Sequence, residues 1–406
     1  MDTGDRFNES ETFTDPATGR RGRRLSTQRP LNQTPTYHYG AAFSADSRYL
    51  IFATVHEGGS AILRAEVATG ELAVVATAPA EQDEGGFTGM QLTMAPSLGV
   101  VAASKGRRQV VLYDLESFEP RTLLGPVERE QQLCPPAVSP EGDFLLVNRV
   151  PANHFENPAD YHADCLRRFG GMPSTCLRIR IADGAVEEVF HEPVAGSNHI
   201  QICPTDKHLW LLDRDWPPKF AWGGDHGRTS RCWLWCDRDR RMIEVRPRDP
   251  NRFQIHTNFS HDGRRIYYHG RSLRAAPQAH AGDRVPTMAD FDGQYIGVAD
   301  TTGQVLWEYW IRGEFHYGHV STHPQAEAII TDGMFTPDHI VCAHYTEAGS
   351  EGEPPLETLA RHATAWGRPP GQWSHPHPHL SPDGRWLCYN RSDGERTDVV
   401  VVDMAH

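Results

Sequence analysis

The sequence predicts an all-β fold, a seven-bladed β-propeller of four-stranded antiparallel blades. Three observations carry this expectation. Gly 36 and Pro 30 are spread along 406 residues, as many turns and short strands require. One turn-and-strand pattern recurs seven times. Between its copies lie further strand pairs, so seven blades of four strands account for nearly the whole chain, taken as one domain over 1–406.

The recurring pattern is an apolar lead-in, a Ser-Pro-Asp-Gly-like turn and an apolar strand. Its copies are FSADSRYLIFA (43–53), MAPSLGVVAA (94–103), VSPEGDFLLV (138–147), ICPTDKHLWLL (202–212), FSHDGRRIYYH (259–269), THPQAEAIITDG (322–333) and LSPDGRWLCYN (380–390), the second and sixth being degenerate. Successive copies step by 44 to 64 residues, and periods of roughly 40–50 residues or more with several strands each belong to propellers. Asp and Gly suit the tight turn, and the residues after it run apolar as a buried strand. AILRAEVATGELAVVAT (61–77) and LRIRIADGAVEEVFHE (177–192) read as hairpins forming the outer part of a blade. Residues 1–20 form an N-terminal extension. A strand near Arg21–Leu25 is expected to pair with the last blade, which ends on DVVVVDM (398–404), because an open ring would expose unpaired edges. Inserts at 151–175, 213–230, 271–290 and 334–371 read as loops over one face, the first with a short helix.

Lys+Arg 40 against Asp+Glu 53 gives a net charge of −13, which excludes sequence-independent nucleic-acid binding and leaves room for a short anionic ligand in a local cationic site. No apolar run approaches the ~18 residues of a membrane span, and the chain starts without a leader-like pattern. The eight cysteines form no Cys-x-x-Cys, and Cys232 and Cys236 read as packed thiols. A reducing cytoplasm is the expected location.

The 22 histidines matter by position. His38, His199, His256, His319 and His377 each stand six to eight residues before the turn Asp or its equivalent, near the start of the same strand. The first strand of a propeller blade lines the channel, so equivalent positions should ring the axis on one face. Neutral imidazole is the commonest transition-metal ligand and a base near physiological pH. Three histidines with another N or O donor suit Mn, Fe, Ni or Zn. The densest candidate is Gln372-Trp-Ser-His375-Pro-His377-Pro-His379, read as an extended strand stiffened by Pro376 and Pro378, with His375 and His377 facing one side. Arg231, which begins RCWLW, is placed to hold a carboxylate bidentately. Trp216, Trp222 and Tyr161 lie in inserts, where packing competes with stacking on sugar rings. No Gly-rich phosphate loop and no Gly-x-Ser-x-Gly elbow occurs.

From FTDPATGRRGRRLS near the N-terminus to the last blade, the chain resembles the oligogalacturonate lyases, cytoplasmic seven-bladed propellers that cleave short pectin fragments by β-elimination. The segment QWSHPHPHLSPDG (372–384) is similar to that family's Gln-x-x-His-Pro-His-Pro. The resemblance implies that Gln372, His375 and His377 bind a divalent metal, usually Mn²⁺, with His319 as fourth ligand. It implies His256 as the base that takes the C5 proton, Arg231 as the arginine that binds substrate and takes part in catalysis, and His199 as a further pocket residue. Its substrate would be a short anionic oligosaccharide. Two departures stand out. Asp213-Arg-Asp-Trp-Pro-Pro replaces the family's His-Glu-Gly-Pro, and Thr257 follows the base where Glu is common. On the residues alone other classes stay open: a lyase of another uronate oligosaccharide, a non-catalytic metal- or sugar-binding propeller, an interaction scaffold, and an isomerase or epimerase. The inserts would cap the pocket or form a homodimer contact.

Overall fold

The computed structural model describes residues 1–28, 31–32, 36–79, 86–152, 167–168, 171–193, 196–197, 199–214, 231–246, 252–273, 291–311, 318–345, 352–368 and 371–405. The fold is a seven-bladed β-propeller: the strands form seven sheets of four or five, and every strand pair within them is antiparallel. Much of each predicted insert, with Trp216, Trp222, Tyr161 and most of the expected short helix, lies outside the described residues. Among the described residues no helix is long and apolar enough to cross a membrane, and the seven described cysteines are free thiols.

The chain groups into two compact units. The first comprises Met1–Gly125, His316–Tyr345 and Pro354–His406 and holds four sheets. Blade one runs Leu31–Asn32, Tyr49–His56, Gly59–Glu66, Leu72–Pro79, with Arg6–Phe7 added outside. Blade two runs Leu92–Ala95, Val100–Lys105, Gln109–Asp114, Pro120–Leu124. Blade six runs Val320–Thr322, Ala328–Asp332, His339–His344, Leu356–Arg361. Blade seven runs His379–Leu380, Trp386–Ser392, Thr397–Asp403, and is completed from the other end of the chain by Arg21–Arg24 and Glu11–Thr14. Gly22 pairs with Val402 and Arg24 with Val400, which is the N-terminal closure the sequence predicts. Residues 1–20 are more than an extension, since they supply edge strands to both blade one and blade seven.

The second unit, Pro126–Phe315 with Thr346–Glu353, holds three sheets. Blade three sets Gln131–Leu133 and Ala137–Val138 on Phe144–Pro151, followed by Ser174–Arg180 and Val186–Glu192. Blade four runs His199–Ile202, Leu209–Asp213, Cys232–Cys236, Arg241–Glu244. Blade five runs Arg252–Phe259, Arg265–Leu273, Phe291–Asp300, Val305–Ile311.

The core lies between neighbouring sheets. Phe43, Leu50, Phe52 and Leu63 of blade one pack with Cys388, Val399 and Val401 of blade seven. Ile330, Ile340 and Leu359 pack with Leu387, Tyr389 and Val400. In the second unit Leu146 and Cys176 meet Trp210 and Leu212, and Leu211 and Leu234 meet Ile266 and Tyr268. Strands covered on both faces need apolar residues on both. Runs such as Val399–Val402 are therefore continuous and do not alternate.

The repeated turn owes its sequence to one hydroxyl. In blade five Ser260 Oγ donates to Asp262 Oδ1 at 2.7 Å and accepts the Arg265 N–H at 2.9 Å. Ser44 and Ser381 repeat this pair of bonds in blades one and seven, while in blade three Ser139 Oγ accepts the Phe144 N–H and donates to Asp143, four residues on. The glycine that follows takes a left-handed φ, 73° at Gly142, 71° at Gly263 and 72° at Gly384, which costs an L side chain energy and glycine none. Blade one has Ser47 there at φ 60°. In the degenerate sixth copy His323 stands in for the serine, its Nδ1 accepting the Gln325 N–H at 3.1 Å.

Ser260 is fully buried, so Ser260→Ala leaves the Arg265 N–H without its acceptor and should lower stability by about 1–3 kcal/mol. Urea unfolding checks this; an unchanged midpoint would mean that the backbone alone holds the turn.

Candidate functional site

The best-defined cluster belongs to the first unit. Four segments build it: the lead-in to blade six (His319), the second strand of that blade (Asp332), the turn Gly371–Ser374, and the lead-in to blade seven (His375 to His379). The turn is a single 3-10 turn, tied down where Ser374 Oγ accepts the Gly367 N–H at 2.8 Å and Ser374 O accepts the Thr364 hydroxyl at 3.1 Å. It puts Gln372 beside the two histidines that follow.

The sequence predicts an extended strand through His375 and His377. The structure differs: pairing starts only at His379–Leu380, and His377 is left-handed at φ 45°. The chain bends there because the His377 N–H donates to Asp332 Oδ2 at 3.0 Å, while Pro376 O accepts the Asn390 N–H at 2.8 Å. His375 and His377 still converge, through this bend and not through strand alternation.

The donor atoms lie close together. Gln372 Oε1 is 2.7 Å from His375 Nδ1 and 2.9 Å from His377 Nε2, and His377 Nε2 is 3.2 Å from His319 Nε2. One ligand atom from each of His319, His375 and His377 falls within 4.8 Å of the others. Ligands about 2.1 Å from one ion stand about 3 to 3.5 Å apart in octahedral or tetrahedral sets. The three histidines could hold one metal ion, with Gln372 Oε1 beside them. His319 is fully buried, His377 nearly so, and His375 half-buried. Tyr37 meets the rings of His377 and His319 edge-on at 5.0 and 5.8 Å, and Trp366 lies 5.3 Å from His375. His38, another of the repeat-position histidines, has its ring 5.8 Å from that of His319 and its Nδ1 at 3.0 Å from Val320 O.

Burial lowers the proton affinity of His375, His377 and two histidines near them. Loss of hydration, then the neighbouring His319, pushes His375 down to about 3. The same causes, with His375 added, hold His377 well below the usual imidazole range. His362 and His379 are each pushed down to about 4 by burial. Neutral rings keep lone pairs for a cation and do not repel it.

The second unit holds the other predicted residues. His199 begins the first strand of blade four and pairs in register with Asp213. Arg231, just before the third strand, forms a buried ion pair with Asp213 through its Nε. Asp213 thus lies between both predicted substrate residues, where the resemblance leads one to expect histidine. In blade five a bulge between Gln254 and Thr257 sets Ile255 and His256 against the single residue His269. His256 Nδ1 is 2.8 Å from His269 Nε2, and both rings are buried. Gln201 Nε2 donates to Thr257 O at 2.7 Å, tying blade four to the strand beside His256.

Sequence reasoning missed Asp332, Asp213's role, His269, His362 and Tyr37. The signal for Asp332 was a carboxylate ending the apolar strand Ala328–Asp332. For His269 it was a histidine closing the fifth repeat copy.

No family model and no curated protein matches this sequence. Solved structures do match in fold. An oligogalacturonate lyase in complex with manganese is 15% identical, with a TM-score of 0.77 over 100% of this chain and 98% of its own. An oligogalacturonate lyase from Vibrio parahaemolyticus is also 15% identical, with a TM-score of 0.76 over 99% and 98%. Hydrazine synthase from Kuenenia stuttgartiensis is 10% identical, with a TM-score of 0.58 over 92% and 96%. The chain therefore has the fold of the oligogalacturonate lyases.

The buried histidines make metal-free protein acid-sensitive. Their folded pKa values lie below the unfolded value near 6.5, so the unfolded chain binds protons that the native one refuses. Stability is full above about pH 6.5 and falls as pH drops toward 4, each histidine contributing at most about 1.4 kcal/mol per pH unit. Urea midpoints in chelator between pH 7.5 and 4.5 test this; a flat profile would contradict neutral burial.

Proposed function

We propose that the protein is a metal-dependent carbon–oxygen lyase that cleaves short oligogalacturonates by β-elimination, leaving a 4,5-unsaturated uronate. The observation that carries this reading is the convergence of Gln372, His319, His375 and His377 on one point, in a chain with the fold of a lyase solved with manganese. Those four residues would hold the divalent ion, Mn²⁺ by that likeness. Bound there, the ion supplies Lewis acidity that neutralises the uronate carboxylate and so acidifies C5–H.

The chain's own residues do the rest. His256 takes the C5 proton at Nε2, with Nδ1 2.8 Å from His269 Nε2 and donating to it. Arg231 binds the carboxylate as charge develops on it, and Asp213 holds the guanidinium in place. His199 begins the strand that pairs with Asp213 and lends a further polar contact. The C5–H and C4–O bonds break, the C4=C5 bond forms, and the departing oxygen gains one proton to leave as a sugar hydroxyl, balancing the one His256 takes from C5. No water is consumed. A second reading, the same elimination on another uronate oligosaccharide, is favoured by Asp213, which places a carboxylate beside the arginine that would bind the substrate's own.

Incubation with di- and trigalacturonate should raise ultraviolet absorbance as the conjugated double bond forms, with Mn²⁺ required and chelator abolishing the rise. Failure with galacturonates but success with another uronate would select the second reading; failure with all uronates would end the lyase reading. His256→Ala should lower turnover about 10²- to 10⁴-fold and leave stoichiometric Mn²⁺ in place. Arg231→Lys keeps the charge but loses the planar fork, and should raise KM more than it lowers metal content.

A further inference from the structure

We propose that Asp332 is a positioning residue that orients two of the metal-binding histidines at once and selects the nitrogen through which His319 binds. This rests on the metal reading above and extends it to a residue outside the four donors.

Asp332 ends the second strand of blade six and is fully buried, as is His319. Its carboxylate has three partners within the cluster. Oδ1 accepts the His319 backbone N–H, Oδ2 stands 3.1 Å from His319 Nδ1, and Oδ2 also accepts the His377 backbone N–H at 3.0 Å. An ionised carboxylate only accepts, so the His319 nitrogen facing it carries the proton. Metal binding then falls to Nε2, the atom 3.2 Å from His377 Nε2 and so the atom turned into the donor cluster. A carboxylate behind a ligating imidazole fixes tautomer and ring plane and raises the basicity of the ligating nitrogen.

The bond to His377 has a different effect. His377 has φ 45°, a left-handed conformation that is unfavourable for a side-chain-bearing residue. Its N–H is turned toward blade six and is satisfied by Asp332 Oδ2. The bend that aims His377 Nε2 at Gln372 and His319 thus ends on the same carboxylate that orients His319. One side chain joins the lead-in of blade six to the lead-in of blade seven, and the metal-binding geometry depends on both.

The experiment uses the full chain and its Asp332→Asn variant. Asparagine keeps the shape but replaces one acceptor oxygen by an NH₂ donor, so at least one of the three N–H groups that face Asp332 (His319 backbone, His319 ring, His377 backbone) loses its acceptor. Mn²⁺ affinity, read by electron paramagnetic resonance of the free ion, should weaken about 10- to 100-fold in the variant, with near-ultraviolet circular dichroism of the metal-free protein unchanged. A folded variant that binds Mn²⁺ as tightly as wild type overturns the inference. Independently of any variant, ¹⁵N imidazole spectra of the wild type should show His319 protonated at Nδ1, both metal-free and loaded with diamagnetic Zn²⁺. A proton on Nε2 in the metal-free protein overturns the inference even if Asp332→Asn does not fold. A wild type that takes up neither Mn²⁺ nor Zn²⁺ overturns the metal reading itself, a result distinct from both.

Discussion

Blade seven is made from both ends of the chain, and the histidine cluster depends on that pairing. Gly22, Arg23 and Arg24 lie against Val400, Val401 and Val402, and Leu25 donates its N–H to Val399 O at 2.7 Å. Without Arg21–Arg24 the strand Thr397–Asp403 would be an unpaired edge, and a sheet of apolar strands with a free edge is prone to wrong pairing. Closure fixes the sheet, the sheet fixes Trp386–Ser392, and Asn390 of that strand donates to Pro376 O between the two critical histidines. The donor segment is thus anchored on a strand that only the N-terminus completes.

The cluster runs against the general economy of folding. Several imidazoles are buried together with a glutamine oxygen and an aspartate, and each loses hydration on burial. The structure offsets this by pairing. Asp332 accepts from His319 and His377, His379 Nε2 lies 3.3 Å from the Thr36 hydroxyl, and His362 Nδ1 accepts the Thr364 N–H at 3.1 Å. What remains concentrated is lone-pair density at Gln372 Oε1, His319 Nε2 and His377 Nε2. Burial, then the neighbouring imidazoles, disfavours charge on His375 and His377, which leaves their lone pairs to an external cation.

In the second unit the histidine proposed as the base is placed by sheet irregularity. The bulge in Arg252–Phe259 turns His256 onto His269, and Asp213 sits where His199 and Arg231 meet it from neighbouring strands. Bulges recur next to functional sites because the extra residue re-aims one side chain without breaking the sheet. The Arg231–Asp213 pair, both side chains almost wholly covered, keeps a guanidinium oriented in a place where an unpaired charge would be costly.

The sequence by itself determined the repeat. Ser260, Asp262 and Gly263 specify a turn through local bonds and a left-handed φ, and such local chemistry reads directly from residue order. It also pointed to His319 and His377 in the lead-ins of blades six and seven, which lie together, because their places follow from counting back to the turn. The pairing of Arg21–Arg24 with the last strand was legible too, since the unpaired edge demands a partner. Tertiary structure alone decided how the donors meet. His377 reaches Gln372 by a bend at φ 45° that no period-two reading anticipates, because its cause is the Asp332 carboxylate 45 residues away in sequence. Asp332 looked like the polar end of an apolar strand, and Asp213 like a loop residue, until packing set each against a histidine or arginine from another segment. Local order fixes turns and periods because their energies are local. The partner of a buried charge is chosen by which segments the sheets bring together, and that is a property of the whole fold.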